Sequence, residues 1–187
     1  RGRVSDYTYE ELQKFYLKSA HGARSSFDLK IPTLREALEV CKNRVIVNID
    51  KGYDYYDMAL ALTEELGVSN QVLIKGSKPL ATVKEKLAIH PKNMLYMPIV
   101  NYNAKHWAKH EAMFQGYLES DLPYFAFEMC WDGSLANEKK VFNKVLKSGK
   151  RLWINTLWGK LCGGKENGYD DDAAVGNEEK IYGKILS

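Results

Sequence analysis

The stretch Val45-Ile46-Val47-Asn48-Ile49-Asp50-Lys51 is an apolar, β-branched run that passes directly into an amide, an acid and a base. A strand that is apolar on both faces is typical of a buried parallel sheet. Charged side chains are costly in such a place unless something binds them. Because α/β proteins carry their chemistry at the carboxyl ends of parallel strands, this stretch predicts both the sheet and the position of its functional site.

Strand and helix patterns alternate from this stretch onward. Strands are predicted at about residues 44–50, 71–75, 94–100, 124–129 and 151–156, each followed by a helical pattern. Such alternation predicts a parallel sheet with right-handed crossovers. No GxGxxG or Walker-type loop is present, which disfavours a nucleotide-binding open sheet. A complete barrel has eight strands and about 250 residues. We therefore expect residues 1–187 to form a single domain, a partial TIM (β/α)₈ barrel of about five βα units.

Two capping boxes precede the first predicted strand. Thr8-Tyr9-Glu10-Glu11 predicts a helix that runs to about Lys18, and Thr33-Leu34-Arg35-Glu36 predicts a helix that reaches Cys41.

Composition excludes several classes of protein. Of the 187 residues, 45% are apolar and 27% are charged, which is ordinary for a globular domain. The net charge of +3 comes from scattered basic residues, so we expect no nucleic-acid partner. Apolar runs are only as long as strands, so we expect no membrane span. The three cysteines lack metal-type spacing, and buried thiols are the expectation for Cys41 and Cys130.

Polar side chains lie where the predicted strands end. They are Asn48, Asp50 and Lys51, then Lys75, Asn101, Glu128, and finally Trp153 and Asn155. Carboxylates suit a hard divalent cation and lysines suit an anionic substrate, so the set favours a metal-assisted reaction on a phosphate ester. Each residue also has a structural interpretation: the charged ones could lie in solvated turns, and Trp153 could belong to the core.

The histidines favour no catalytic site. His106 and His110 lie four residues apart on one predicted helix face, without a further metal-binding pattern. A solvated face of an outer helix is the simpler interpretation. Asp170-Asp171-Asp172 lacks the glycine and the closing glutamate of a calcium loop and indicates an acidic helix start.

Four segments resemble the glycerophosphodiester phosphodiesterase family. GRVSDYTYEEL at 2–12 is similar to the family's Gly-x-Val-x-Asp-x-Thr-x-x-Glu-Leu, and IPTLREAL at 31–38 to Ile-Pro-Thr-Leu-x-Glu-x-Leu. VNIDK at 47–51 lies where the family has a strand ending in Glu-x-Lys. WINT at 153–156 is similar to its Trp-Thr-Val-Asn. The resemblance runs in order through essentially the whole chain.

The resemblance implies a phosphoric diester hydrolase of lipid and glycerol metabolism. Such a barrel hydrolyses a small-molecule glycerophosphodiester to an alcohol and glycerol 3-phosphate, using two histidines and a divalent cation, Ca²⁺ or Mg²⁺. By this resemblance Asp50 is the expected metal ligand. Lys75, Glu128, Trp153 and Lys51, which lie at the predicted strand ends, are expected to bind the substrate. A periplasmic or extracellular location is favoured, although the sequence leaves the compartment open.

Several family motifs have no counterpart in this chain. The His-Arg-Gly opening, the Glu-x-Asp metal pair and the His-Asp loop are expected before residue 1, and the closing strand after Ser187. We therefore expect no catalytic residue in this chain and no hydrolysis by it alone. Asp50 directly precedes Lys51, without the family's intervening residue.

Two alternatives stay open. One is a non-catalytic phosphodiester-binding barrel. The other is a glycosidase that uses Asp50 and Glu128, for which the carboxyl groups should lie roughly 5–9.5 Å apart with no metal between them.

Overall fold

The computed structural model describes residues 2–18, 27–89, 95–102, 107–122, 124–131, 135–155 and 174–186. The chain divides into two compact units, residues 1–44 and 45–187. The second unit contains the sheet.

The first unit contains both predicted capping boxes. A 3₁₀ turn at Val4–Asp6 precedes helix α1 at Tyr9–Leu12, and helix α2 spans Leu34–Cys41. In α1 the Thr8 hydroxyl accepts a hydrogen bond from the backbone N–H of Glu11 at 3.2 Å, and the Glu11 carboxylate accepts one from the Thr8 N–H at 2.8 Å. These reciprocal bonds satisfy backbone groups that the first turn leaves unpaired, which is why each helix begins where the sequence predicts.

The second unit is built on five parallel strands. Their bounds are Val47–Ile49 (β1), Val72–Gly76 (β2), Leu95–Tyr102 (β3), Ala126–Trp131 (β4) and Arg151–Ile154 (β5). Within the described residues their spatial order is their chain order, β1 to β5, and every neighbouring pair is parallel. A doubly wound sheet reverses its strand order at a switch point, whereas a barrel adds each strand beside the last. The predicted fold class, a partial (β/α) barrel with five βα units, is therefore confirmed.

A helix follows each strand. A 3₁₀ turn at Gly52–Tyr55 leads into α3 at Tyr56–Leu66, and the remaining helices are α4 at Leu80–Ile89, α5 at Trp107–Glu119, α6 at Leu135–Lys147 and α7 at Glu178–Leu186. Helix α3 ends at Gly67, whose φ of 66° is the left-handed conformation that glycine adopts without strain. None of the helices in the described part of the chain is long and apolar enough to cross a membrane.

Aromatic side chains join the outer face of the sheet to the helices. Phe127 of β4 packs on Phe114 of α5 with ring centroids 5.4 Å apart, and Tyr96 of β3 stacks on Tyr117 of α5 at 6.1 Å. All four side chains are buried. The opposite, inner face contains a smaller apolar cluster made of Leu73, Met97 and Ala126.

Two predicted bounds are wrong. The strand predicted at 44–50 is shorter: Val45 and Ile46 precede β1 and are more than half exposed. The cause is the position of β1 at the edge of the described sheet, where it pairs only with β2. The helix predicted to reach Lys18 ends at Leu12, because the chain turns there and Leu17 instead pairs its N–H with the carbonyl of Leu29.

Candidate functional site at the carboxyl ends of the strands

The ammonium group of Lys75 joins two carboxylates from different strands. Its Nζ lies 3.0 Å from Oε2 of Glu128 and 3.2 Å from Oδ1 of Asp50. The second Glu128 oxygen, Oε1, accepts a hydrogen bond from the amide Nδ2 of Asn155 at 3.3 Å. Four polar side chains that are far apart in the sequence thus form one network, and both of its acids contact the same lysine.

The strand register explains why these residues meet. Lys75 of β2 lies beside Met97 of β3, two residues beyond Leu73. Glu128 of β4 lies between Ile99 of β3 and Trp153 of β5. Since side chains alternate between faces along a strand, Lys75 and Glu128 share the inner face with Leu73, each on the carboxyl side of the apolar cluster. The long lysine side chain reaches past the apolar residues of β3 to Glu128.

Exposure falls steadily through the network. The side chain of Asp50 is 62% exposed, that of Lys75 is 14% exposed and that of Glu128 is 4% exposed. Asp50 therefore meets solvent, Lys75 lies behind it, and Glu128 is enclosed. Buried charges require partners, and Glu128 has an ion pair with Lys75 at Oε2 and a hydrogen bond from Asn155 at Oε1.

The two carboxylates keep Lys75 charged. Burial lowers the pKa of Lys75, but the hydrogen bonds and charges of Glu128 and Asp50 outweigh that effect and raise the pKa above the ordinary lysine value. The Nζ of Lys75 contacts both carboxylates as ion pairs. It has no other partner in the described part of the chain, so the ammonium can donate to a ligand.

A tight turn fixes Asp50 at the end of β1. Lys51 follows it in the left-handed conformation, with φ of 55°, and Gly52 is buried. A Cβ atom on Gly52 would lie 2.7 Å from Cγ2 of Ile49, closer than packed atoms approach. Only glycine fits there, and its absence of a side chain lets the chain fold back directly after the acid. The Lys51 side chain is exposed.

Two tyrosines secure the turn that follows Lys75. The hydroxyl of Tyr96 donates to the carbonyl of Gly76 at 2.9 Å, and the hydroxyl of Tyr117 donates to the carbonyl of Lys78 at 2.9 Å. Burial raises the pKa of Tyr117 to about 12, so this donor stays protonated at neutral pH. Neither tyrosine can be predicted from the sequence, since nothing in the local pattern distinguishes a core tyrosine from one that holds a loop.

The remaining strand-end residues differ in their surroundings. Trp153 is 44% exposed on the inner face beside Glu128, so the interpretation of it as a core residue is wrong. Asn155 is bonded to Glu128. Asn101 lies beside Cys130 in the register of β3 and β4, and no bond joins it to Lys75. Cys130 is buried as predicted, whereas Cys41 is partly exposed.

Several predictions fall on other parts of the chain. His110 lies in the first turn of α5 and is partly buried. His106, Cys162 and Asp170-Asp171-Asp172 lie outside the described residues.

The described residues do not fit a metal centre of their own. No group of three or more His, Cys, Asp or Glu side chains suited to holding a metal occurs among them. Asn155 bonds to Oε1 of Glu128, and the Lys75 ammonium lies against Oε2, which accepts no hydrogen bond in the described part of the protein. That leaves the Asp50 carboxylate and the buried amide oxygen of Asn48, which likewise accepts no hydrogen bond from the described residues. Calcium takes six to eight oxygen ligands and magnesium six, so these two groups supply only a fraction of a coordination sphere.

Sequential parallel strands with charged groups at their carboxyl ends define part of a (β/α) barrel. Residues 96–187 match a family described as a domain of unknown function, DUF4996. No curated protein matches the chain.

Among solved structures, the chain is similar to a glycerophosphoryl diester phosphodiesterase from Parabacteroides distasonis, with 17% identity and a TM-score of 0.50. The match covers 82% of this chain and 61% of the other, so the chain spans less than two thirds of that protein. At this identity the likeness shows the fold.

Proposed function

We propose that this chain is part of a glycerophosphodiester phosphodiesterase, a hydrolase that releases an alcohol and glycerol 3-phosphate. In this proposal the carboxyl ends of its strands bind the phosphodiester. The observation that supports the proposal is the ammonium of Lys75, held by ion pairs with two carboxylates at the carboxyl ends of a parallel barrel sheet. The fold is similar to part of the fold of a glycerophosphoryl diester phosphodiesterase.

Lys75 suits a phosphate oxygen in both geometry and charge. A glycerophosphodiester carries one negative charge, and an ammonium donating to a phosphate oxygen forms a charge-assisted hydrogen bond. Asp50, Lys51, Lys75 and Glu128 together carry no formal net charge. An incoming anion is therefore not opposed by an excess of negative charge at the strand ends.

Other residues have separate roles in this proposal. Trp153 offers an exposed ring beside the network for the substrate's glycerol or alcohol group to pack on. Lys51 supplies a second, exposed cation next to Asp50. Glu128 is enclosed and acts on the substrate through Lys75. The catalytic histidines and a complete Ca²⁺ or Mg²⁺ site would come from outside the described residues, with Asp50 as this chain's contribution to the metal.

The glycosidase alternative is supported less well. Asp50 and Glu128 contact the same Nζ at 3.2 Å and 3.0 Å, so these oxygens are close enough for a carboxylate pair. However, Glu128 is enclosed and both of its oxygens are engaged by Lys75 and Asn155. A glycosidase needs both acids to face the sugar.

A non-catalytic phosphodiester-binding barrel is the second candidate. It is favoured by the absence of histidine from all five described strands. The two candidates share the Lys75 site and differ in turnover.

The test is release of glycerol 3-phosphate by the full-length protein, with glycerophosphocholine and glycerophosphoethanolamine as substrates. Lys75→Met should lower kcat/KM by about 10- to 100-fold, the equivalent of one charge-assisted hydrogen bond. Lys84→Met is the matched control, because Lys84 lies on α4 and pairs with exposed Asp121. Undiminished activity in a folded Lys75→Met variant would refute the proposal. Binding of the diester without product would favour the binding module.

A further inference from the structure

The contact between Asp50 and Lys75 depends on the backbone turn that carries Asp50. Its carboxylate is exposed, and among the described residues Lys75 is the partner that it contacts. After Asp50 the chain turns at Lys51, which is in the left-handed conformation, and enters the 3₁₀ turn Gly52–Tyr55. The position of this turn relative to β2 therefore decides whether the acid reaches the ammonium.

Tyr53 joins that turn to the end of β2. Its ring meets the ring of Tyr96 edge-on, with centroids 6.0 Å apart. A Cβ atom on Gly76, the residue after Lys75, would lie 3.5 Å from Cβ of Tyr53 and 3.4 Å from the hydroxyl oxygen of Tyr96. Both tyrosines therefore lie against Gly76, and the Tyr96 hydroxyl also donates to its carbonyl at 2.9 Å. Tyr53 thus connects the turn that follows Asp50 with the residue that follows Lys75.

The other contacts between the two turns are weaker. Nζ of Lys78 lies 3.1 Å from the Asp54 carboxylate, but both side chains meet solvent, and exposed ion pairs contribute little. The Tyr53 hydroxyl lies 3.4 Å from the carbonyl oxygen of Thr82, which is longer than the usual O–H···O bond. The packing of the Tyr53 ring on Tyr96 is therefore the contact that holds the two turns together.

We propose that Tyr53 is a positioning residue, whose ring holds the turn after Asp50 against the end of β2 and so keeps Asp50 in contact with Lys75. This inference goes beyond the proposed function, because it concerns how the contact is made and holds whatever ligand the strand ends bind. Asp50 is the exposed partner of Lys75, and Glu128 is the enclosed one. Tyr53 therefore sets how far the ammonium is drawn toward solvent, where a ligand would meet it.

The experiment measures the contact by zero-length cross-linking of the full-length protein. A carbodiimide activates a carboxylate, which then forms an amide with an amine that touches it. A link between Asp50 and Lys75 therefore reports their contact. Peptide mass spectrometry gives its yield relative to the link between Lys84 and Asp121, whose charged atoms lie 3.3 Å apart. Wild type should give both links, and absence of the link between Asp50 and Lys75 would overturn the proposal.

Substitutions of Tyr53 test the role of its ring. Tyr53→Leu should lower the relative yield about 2- to 10-fold, the factor that one aromatic contact is typically worth. Tyr53→Phe keeps the ring and should retain the wild-type yield. Tyr55→Leu is the matched control, because Tyr55 lies in the same 3₁₀ turn with its side chain exposed, and it should also retain that yield. A general loss of stability would lower both links and leave their ratio unchanged.

Three results would contradict the role of the ring. One is an unchanged relative yield in a Tyr53→Leu variant that has the wild-type circular dichroism spectrum. Another is an equal fall in Tyr53→Phe or Tyr55→Leu. The third is an equal fall in Lys78→Met, which would assign the contact to the exposed ion pair with Asp54. Should Tyr53→Leu fail to fold, Tyr53→Met takes its place under the same criterion, because methionine adapts to irregular space without a ring.

Discussion

Glu128→Gln should destabilise the protein far more than Asp50→Asn, although both changes remove one carboxylate from Lys75. Each substitution keeps the shape of the side chain and removes its charge. Glu128 is enclosed, whereas Asp50 is 62% exposed, and both lie about 3 Å from the same nitrogen. Burial therefore decides the difference.

The magnitudes follow from the two environments. Removing one partner of a buried ion pair typically costs about 3–5 kcal/mol, because the other charge stays enclosed and unpaired. Lys75 keeps Asp50 and is 14% exposed, so we expect about 2–3 kcal/mol for Glu128→Gln. An exposed ion pair contributes about 0–1 kcal/mol, and Asp50→Asn should fall in that range.

Urea unfolding followed by circular dichroism measures both changes. A loss of 2–3 kcal/mol corresponds to a fall in the midpoint of about 1 M or more. Adding Lys75→Met to Glu128→Gln should cost less than the sum of the single changes, since the two residues share one interaction. Equal destabilisation by Asp50→Asn and Glu128→Gln, or less than 1 kcal/mol from Glu128→Gln, would contradict the assignment of Lys75 and Glu128 as an enclosed pair.

Two further predictions concern the surroundings of the site. Gly52→Ala should destabilise the protein by about 1–3 kcal/mol in the same urea assay, because its Cβ would meet Ile49 at 2.7 Å. Gly183→Ala in helix α7 is the control, because among the described residues no side chain or other segment lies within 4 Å of the new Cβ. It should be neutral or stabilising by up to about 1 kcal/mol. An equal loss from both variants would show that crowding is not the cause. At alkaline pH, Tyr117 should make folding pH-dependent: its pKa is about 12 in the folded protein against 10.0 ordinarily, so its contribution is complete below pH 10 and is lost between pH 10 and 12. Tyr117→Phe should therefore show a shallower fall in the urea midpoint over that range, and an unchanged slope would be evidence against the buried hydroxyl.

Periodicity was sufficient to predict the alternation of strands and helices. Short apolar runs between helical patterns identify all five strands, and Gly67 and Gly149 end helical segments in the left-handed conformation. The apolar run that begins at Val45 predicts too early a start for β1, because composition does not reveal where the hydrogen bonds to β2 begin. At a sheet edge, the residues before the first ladder bond are exposed however apolar they are.

The network around Lys75 depends on information that no local pattern contains. Lys75 is the next-to-last residue of β2, and the sequence Gly76-Ser77-Lys78 that follows it is equally typical of a solvated loop. Whether its side chain points inward depends on the register with β3, and its contact with Glu128 depends on reaching across that strand. The sequence therefore predicts that the acids and the lysine lie at a common face of the sheet, and the three-dimensional structure is needed to show which of them are in contact.

The hydroxyls of Tyr96 and Tyr117 connect the outer, helix-covered face of the sheet to the site on its inner face. They do so by binding the carbonyls of Gly76 and Lys78. Tyr96 of β3 and Tyr117 of α5 stack on each other on the outer face of the sheet. Their hydrogen bonds nevertheless fix the backbone that directly follows Lys75. In a saturation-mutagenesis screen, we expect loss-of-function variants at these two positions among residues that touch no ligand. Substitutions at Tyr96 or Tyr117 would therefore shift the position of the Lys75 ammonium. They offer a way to alter ligand preference without changing any residue at the strand ends.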